Sequence, residues 1–411
     1  MVSDTDVTAD LAARTLAMVV RESGGTALDA LTRLRAQSAL PFAGQYSSSD
    51  FPLSNCVNSG IPRIALLTDQ GIQSWLQQGR RGPHVLRPVR VHTSPPRPYT
   101  GTADAVYRNL RFVEESSPAY VLVHVGDDVC RMDYRALLET HVASGLSATI
   151  GCVEVPAAIA RGFRVIRVGS HGRVIHCADR PVGAQPLPHD PATVLVSIGV
   201  YAFDRDSLVD CLSVDAEDRW SGHDFGRDVL PLLIRAGGVA AHVFQDPQPG
   251  QSVYWRELGT LDRYWRANLE LLAEQPVIDF ADRGWPLWTR APQGPPPRVF
   301  GSGKVLRSIV SAGCVIGGCV EGSVLSPECV VRPGATVQDS VLLPGVQVGT
   351  GSRISKAVID SGCVVPDGIT IGDDPAQDAA SFDLSAEGVA LVTADGLARA
   401  ARTGRRDSLL V

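Results

Sequence analysis

The sequence predicts an α/β chain in two parts: a doubly wound, Rossmann-like domain over residues 1–275 and a parallel β-helix over 301–375, with a connector at 276–300 and a C-terminal segment at 376–411. Three observations lead there. A chain of 411 residues is too long for one ordinary core. Apolar strand-like runs alternate with helical patterns over the first two thirds, as βαβ units around a mainly parallel sheet do. In the last third, Val324-Leu325, Val341-Leu342 and Val358-Ile359 recur every 17 residues between glycine-rich turns, in the manner of hexapeptide solenoid coils that bury their aliphatics against one another.

The first domain is organised around residues 120–128, YVLVHVGDD, where an unbroken apolar run ends in glycine and two carboxylates. A run without polar alternation is a strand covered on both faces. Its carboxyl end is the edge where open α/β sheets bind ligands. A carboxylate held there can take a divalent cation, since Mg²⁺ uses one or two protein carboxylates together with phosphate oxygens. The same pattern also suits a solvated turn after a core strand.

Taken in order, residues 15–20 read as a strand, and Gly24-Gly25-Thr26 follow before a helical pattern. A strand, glycine turn and helix present backbone N–H groups to phosphate, although a plain βα turn uses glycine as readily. Strands follow at 64–67, 148–155 and 193–203, and the stretch from Arg164 to Pro181 reads as a hairpin turning at 169–172. HDFGRDVLPLLIRAGG opens a helix with an acid in its first turn and glycines past its end. DRGWPLWTRAPQGPPPRVF reads as a connector packed on both neighbours. Residues 401–408, ARTGRRDS, read as a loose basic tail.

Composition removes several classes. The net charge of −6 is spread along the chain, leaving no basic stripe for nucleic acid and no polybasic membrane anchor. The N-terminus lacks a basic region before its short apolar run, so it does not read as a signal peptide, and no stretch of about 18 apolar residues occurs. Nine cysteines without CxxC pairs, several in strand-like contexts such as Cys152 and Cys363, read as small buried hydrophobes in a reducing cytoplasm.

The segment from Phe51 to Gly60, FPLSNCVNSG, closely resembles the signature of the ADP-glucose pyrophosphorylases, the glucose-1-phosphate adenylyltransferases. Further matches follow in the same order: Tyr99 with Gly101-Thr102-Ala103-Asp104-Ala105-Val106, then Val125-Gly126-Asp127 and Met132-Asp133-Tyr134. Later come Ser197-Ile198-Gly199-Val200-Tyr201, His223-Asp224-Phe225-Gly226, Trp255-Arg256 with Gly259-Thr260, and Tyr264-Trp265. The resemblance covers nearly the whole chain. It implies a nucleotidyltransferase domain followed by a left-handed β-helix that supports a homotetramer or homodimer. It also implies a reaction between a nucleoside triphosphate, ATP or GTP, and a sugar 1-phosphate.

Carried over residue by residue, the resemblance makes Asp127 a catalytic metal ligand and Glu257 its partner on Mg²⁺, with glutamate where aspartate is usual. Gly24, Gly25, Thr26, Gln37, Tyr99, Gly101, Thr102 and Asp104 match nucleotide-binding positions. Asp179, Arg180, Ser197, Asp224 and Arg227 match the acceptor pocket, with Arg180 also placed at the chemistry. Two triphosphate-facing cations of the family are absent here, being Ala27 and Gln37, and Glu22 adds a negative charge to the same loop. At the acceptor side the swaps keep charge, since arginine replaces lysine at 180 and 227 and holds phosphate with a planar fork.

These departures lead to the expectation of altered substrates: a sugar 1-phosphate or cyclitol 1-phosphate, such as valienol 1-phosphate giving GDP-valienol, in the guanylyltransferase branch serving antibiotic pathways. Ordinary ADP-glucose formation for glycogen synthesis is the first alternative. A non-catalytic regulatory subunit of an active paralogue is the second.

Overall fold

The computed structural model of the chain describes residues 10–21, 31, 40–68, 90–93, 98–126, 128–160, 162–178, 187, 190–245, 253–280, 282–289 and 294–407. These fall into two compact units. One gathers the described residues of 1–23, 49–255 and 283–288, and the other those of 24–48, 256–282 and 289–411.

In chain order the strands of the first unit and its neighbours are β1 (Thr15–Arg21), β2 (Pro41–Phe42), β3 (Tyr46–Ser47), β4 (Arg63–Thr68), β5 (Arg90–Thr93), β6 (Tyr120–Val125), β7 (Val129–Cys130), β8 (Ala148–Pro156), β9 (Val165–Val168), β10 (Val174–Ala178), β11 (Thr193–Asp204) and β12 (Val239–Val243). The short hairpin β2–β3 belongs to the second unit. The large sheet runs β10-β9-β11-β6-β1-β4-β5, with β8 on β11 and β12 on β8. β1 pairs in parallel with β4 on one side and β6 on the other. The carboxyl ends of these three strands therefore open on one edge, at Arg21, Thr68 and Val125.

Alternate side chains of each central strand enter different cores. Met18, Val20, Val121 and Val123 pack on one face, while Ala17, Val19 and Leu122 pack on the other. Burial on both faces explains why these strands carry no polar alternation. The predicted strands at 15–20, 64–67, 148–155 and 193–203 each lie within an observed strand, and β9–β10 is the expected hairpin.

β11 runs antiparallel to β6 and β8, and its register with β8 shifts between Ser197 and Tyr201. Inside that irregularity Gly199 has φ +72°, and a Cβ there would run into the Val125 carbonyl. Only glycine lets β11 lie this close to the end of β6.

The HDFG segment departs from a simple α-helical start. Residues Phe225–Val229 form one π turn before the α-helix Leu230–Arg235. The Asp224 carbonyl accepts from both Asp228 N at 2.8 Å and Val229 N at 3.2 Å, so the turn is widened by one residue. In the expected connector, Trp285 and Trp288 fold back on helix Asp50–Asn58 within the first unit. Their indoles donate to Asn55 Oδ1 and Asn58 Oδ1, each at 3.1 Å.

In the second unit three sheets of short parallel strands stack coil upon coil. The 17-residue repeat appears as a register, Val324 over Val341 over Val358. Ile316, Val331, Val348 and Val365 form one inward row, and Val320, Val337, Ile354 and Ile371 another. Serine hydroxyls link successive coils: Ser323 Oγ accepts from Ser340 N and Ser340 Oγ from Ala357 N, each at 3.1 Å. The loose tail expected from residue 401 is corrected, because helix Ala394–Asp407 continues through it. Its Leu397 is buried in the solenoid core, which gives the helix the apolar anchor that its basic end lacks. Among the described residues no helix is long and apolar enough to cross a membrane.

Candidate functional site

Gly24, Gly25, Thr26, Gln37, Asp127, Asp179 and Arg180 lie outside the described residues. Tyr99, Gly101, Thr102, Asp104, Ser197, Asp224 and Arg227 fall in the first unit, and Glu257 in the second.

The clearest constellation is centred on Asp224. It N-caps the π turn, its Oδ1 accepting from Arg227 N at 2.8 Å. Its Oδ2 accepts from Thr102 Oγ1 at 3.0 Å, and the same hydroxyl accepts from Phe225 N at 2.9 Å. Ala103 N donates to His223 O at 2.7 Å, completing the seam between the GTADAV and HDFG segments. Gly101 is required by that seam, since a Cβ would stand 2.5 Å from Gly222 O and 2.7 Å from His223 C.

His223 sits at φ +54°, and its Nδ1 lies 2.9 Å from Oδ2 of buried Asp215. Asp215 Oδ1 accepts from Ser221 Oγ at 2.6 Å, whose oxygen in turn accepts from His223 N at 2.9 Å. The turn before Asp224 is thus tied to helix Arg205–Glu217.

Ser197 joins from the irregular part of β11, where its Oγ accepts from Gly199 N at 3.4 Å. Burial pushes the Tyr201 phenol well above its ordinary value, against the pull of the Arg164 charge and the Ser197 hydrogen bond. The Tyr201 ring stacks on Phe225 with centroids 5.9 Å apart. Arg164, which the sequence does not mark, closes the group: Nη1 is 3.4 Å from Asp224 Oδ1, and its carbonyl accepts from Ser197 N at 2.9 Å. The structure therefore brings Ser197, Tyr201, Asp224, Thr102 and Arg164 together beside the carboxyl end of β6.

Other expected residues are bound into their own segments. Asp104 Oδ2 accepts from Thr100 N at 2.9 Å and pairs with Arg108 at 3.3 Å. The Tyr99 hydroxyl accepts from Asn109 Nδ2 at 3.0 Å, and the Arg108 guanidinium lies 5.0 Å over its ring. Of the two carboxylates after β6, Asp128 is buried and holds the Trp255 indole at 2.9 Å. Glu257 Oε1 accepts from Gly259 N at 2.6 Å, and Oε2 pairs with Arg263. Among the described residues no group of three His, Cys, Asp or Glu side chains could hold a metal ion.

The doubly wound sheet with this seam at its carboxyl edge is a nucleotidyltransferase domain, as the family match over residues 21–274 shows. The nucleotidyl transferase family model matches residues 21–274, and the GlmU-like C-terminal hexapeptide model matches residues 298–392. The chain is 39% identical over 404 residues to a glucose-1-phosphate adenylyltransferase of Paramagnetospirillum magneticum, covering 93% of this chain and 94% of the relative. It is 40% identical over 400 residues to one of Albidiferax ferrireducens, covering 92% and 95%. A third, glucose-1-phosphate adenylyltransferase 1 of Alkalilimnicola ehrlichii, is 42% identical over 399 residues, covering 93% and 94%.

The chain belongs to the glucose-1-phosphate adenylyltransferase family, and its second part is the family's left-handed β-helix. The expected valienol-1-phosphate guanylyltransferase branch, with its cyclitol acceptor and antibiotic pathway, gains no support from these relatives. Likeness over nearly the full length of both chains outweighs substitutions at a few single positions.

Proposed function

We propose that the protein joins ATP to glucose 1-phosphate and releases pyrophosphate. A phosphate oxygen of the sugar phosphate attacks the α-phosphorus of ATP, the bond from that phosphorus to the bridging oxygen of the β-phosphate breaks, and pyrophosphate leaves. The Ser197–Tyr201–Asp224–Thr102 cluster carries this reading. It sets hydroxyl and carboxylate groups beside the sheet edge where ligands bind, and a hexose offers hydroxyls that can both donate and accept. The names of the relatives supply the nucleotide and the hexose.

Such catalysis is mainly positioning and stabilisation of developing charge, for which nucleotidyl transferases of this family generally use a divalent cation. In this reading Arg180 and Arg227 face the sugar phosphate and Asp127 stands at the reacting end. Ala27 and Gln37 remove charge from the triphosphate side, and losing one preorganised contact to a transition state costs on the order of 10²–10³ in rate. A modest turnover number is therefore expected.

The test is pyrophosphate release from purified protein, crossing ATP and GTP with glucose 1-phosphate and valienol 1-phosphate, beside Asp127→Asn. Turnover with ATP and glucose 1-phosphate, abolished in the variant, is the expected result. Turnover only with GTP and valienol 1-phosphate would reverse the choice of substrates. Silence relieved by an active paralogue would make the chain a regulatory subunit.

A further inference from the structure

Arg164 stands immediately before β9, and its carbonyl is fixed to Ser197 N at 2.9 Å. Its side chain crosses to Asp224, with Nη1 at 3.4 Å from Oδ1 and the two side chains 20% and 26% exposed. The guanidinium also lies against Gly226, where a Cβ would occupy the position of Nη1. Gly226 has no positive φ to explain its identity; glycine is needed there for room. Two segments about sixty residues apart thus make a place for one guanidinium beside Asp224.

An ion pair of this kind sets a planar fork of donors beside an acceptor. A polyhydroxylated ring can answer both, one hydroxyl donating to the carboxylate and a neighbouring oxygen accepting from the fork. We propose that Arg164 is a specificity-determining residue of the acceptor pocket, forming with Asp224 a donor–acceptor pair that reads two adjacent ring oxygens of an aldose 1-phosphate and so their relative stereochemistry. The inference rests on the reading of this pocket as the acceptor site. It gives Arg164 a task that an ion pair serving only the fold would not have, namely ranking epimers.

The experiment compares wild type, Arg164→Ala and Arg164→Lys as full-length proteins. It measures kcat/KM with glucose, galactose and mannose 1-phosphates at saturating ATP, KM for ATP, and calorimetric affinity for glucose 1-phosphate. Losing one charge-assisted hydrogen bond weakens binding about ten- to a hundredfold. Arg164→Ala is therefore expected to raise KM for glucose 1-phosphate about tenfold or more and to leave KM for ATP within about twofold. The kcat/KM preference among epimers should shrink about tenfold in both variants, because lysine keeps the charge but loses the fork.

An unchanged epimer preference in folded Arg164→Ala, or a KM for ATP that moves as far as that for the sugar phosphate, overturns the proposal. If the alanine variant does not fold, Arg164→Lys is judged by the same two readouts. Should wild type turn over no pair, the catalytic reading fails and calorimetry decides for Arg164. Affinity for glucose 1-phosphate that drops in the variants supports the proposal, equal affinity overturns it, and no binding by wild type overturns both readings.

Discussion

Replacing Gly101 by alanine tests whether the seam between the two loops holds the site. Gly101 has φ −173°, extended backbone open to any residue, so the backbone conformation is not at issue. The added methyl would stand 2.5 Å from Gly222 O, about 0.9 Å inside ordinary contact. Three hydrogen bonds cross the gap, at 2.7, 3.0 and 2.9 Å, from Ala103 N, Thr102 Oγ1 and Phe225 N. Opened by about 0.9 Å, all three pass the range in which such bonds hold.

Two neutral bonds and one to a carboxylate amount to about 3–5 kcal/mol of local stability. A displacement near 1 Å at a positioning residue costs on the order of 10² in rate. Gly101→Ala should lose about a hundredfold in kcat/KM for pyrophosphate release, with a clear drop in Tm by calorimetry. Thr102→Val, which removes only the shared hydroxyl, should lose less of both. A Gly101→Ala protein within about threefold of wild type would show that the seam does not position Asp224.

Three further perturbations probe neighbouring parts. Asp128→Ala strips the buried Trp255 indole of its acceptor and should cost about 1–3 kcal/mol in urea unfolding followed by tryptophan fluorescence, while Asp128→Asn keeps an acceptor and most of that stability; equal loss in both would show that charge, not the hydrogen bond, matters. Ser340→Ala leaves Ala357 N without the hydroxyl it bonds at 3.1 Å, so a loss of about 1 kcal/mol is expected, and an unchanged Tm would remove the serine ladder from the solenoid's stability. Burial lowers the His242 imidazole from 6.5 to about 4. The unfolded chain then takes up a proton that the folded chain refuses, so this contribution is complete above pH 6.5 and lost as the pH falls towards 4. His242→Gln should flatten the stability profile between those values, and superimposable profiles would refute the assignment.

What the sequence discloses follows from what is local. β1, β6 and the solenoid coils are legible because burial on both faces, or stacking at a fixed interval, repeats in the order of the residues themselves. The π turn at Phe225–Val229 is not, because its extra residue is accommodated where Thr102 meets Phe225 N, more than 120 residues away in sequence. Tyr201 enters the sequence reading only as the end of a matched motif and Arg164 only as the start of a hairpin, for the same reason. A tyrosine in an apolar strand reads as core, which it also is, and an arginine before a strand reads as surface until folding brings Asp224 opposite. Helix Ala394–Asp407 was hidden by its basic end, since one buried Leu397 carries too little pattern.

The substitutions in the phosphate loop are a poor guide to the acceptor, because the family resemblance matches them to triphosphate-facing positions. The proposed acceptor wall is a separate set of contacts. Asp224 holds Thr102 through one oxygen and Arg227 N and Arg164 through the other, so its carboxylate is positioned by three segments before any substrate arrives. The backbone seam at Gly101 needs two carbonyls close by, whereas Arg164 needs only the absence of a side chain at Gly226. Changing residue 164 therefore alters what the wall presents without moving the wall. On the proposed reading, acceptor preference can then change through that one side chain while Arg227 N and Thr102 Oγ1 still hold Asp224.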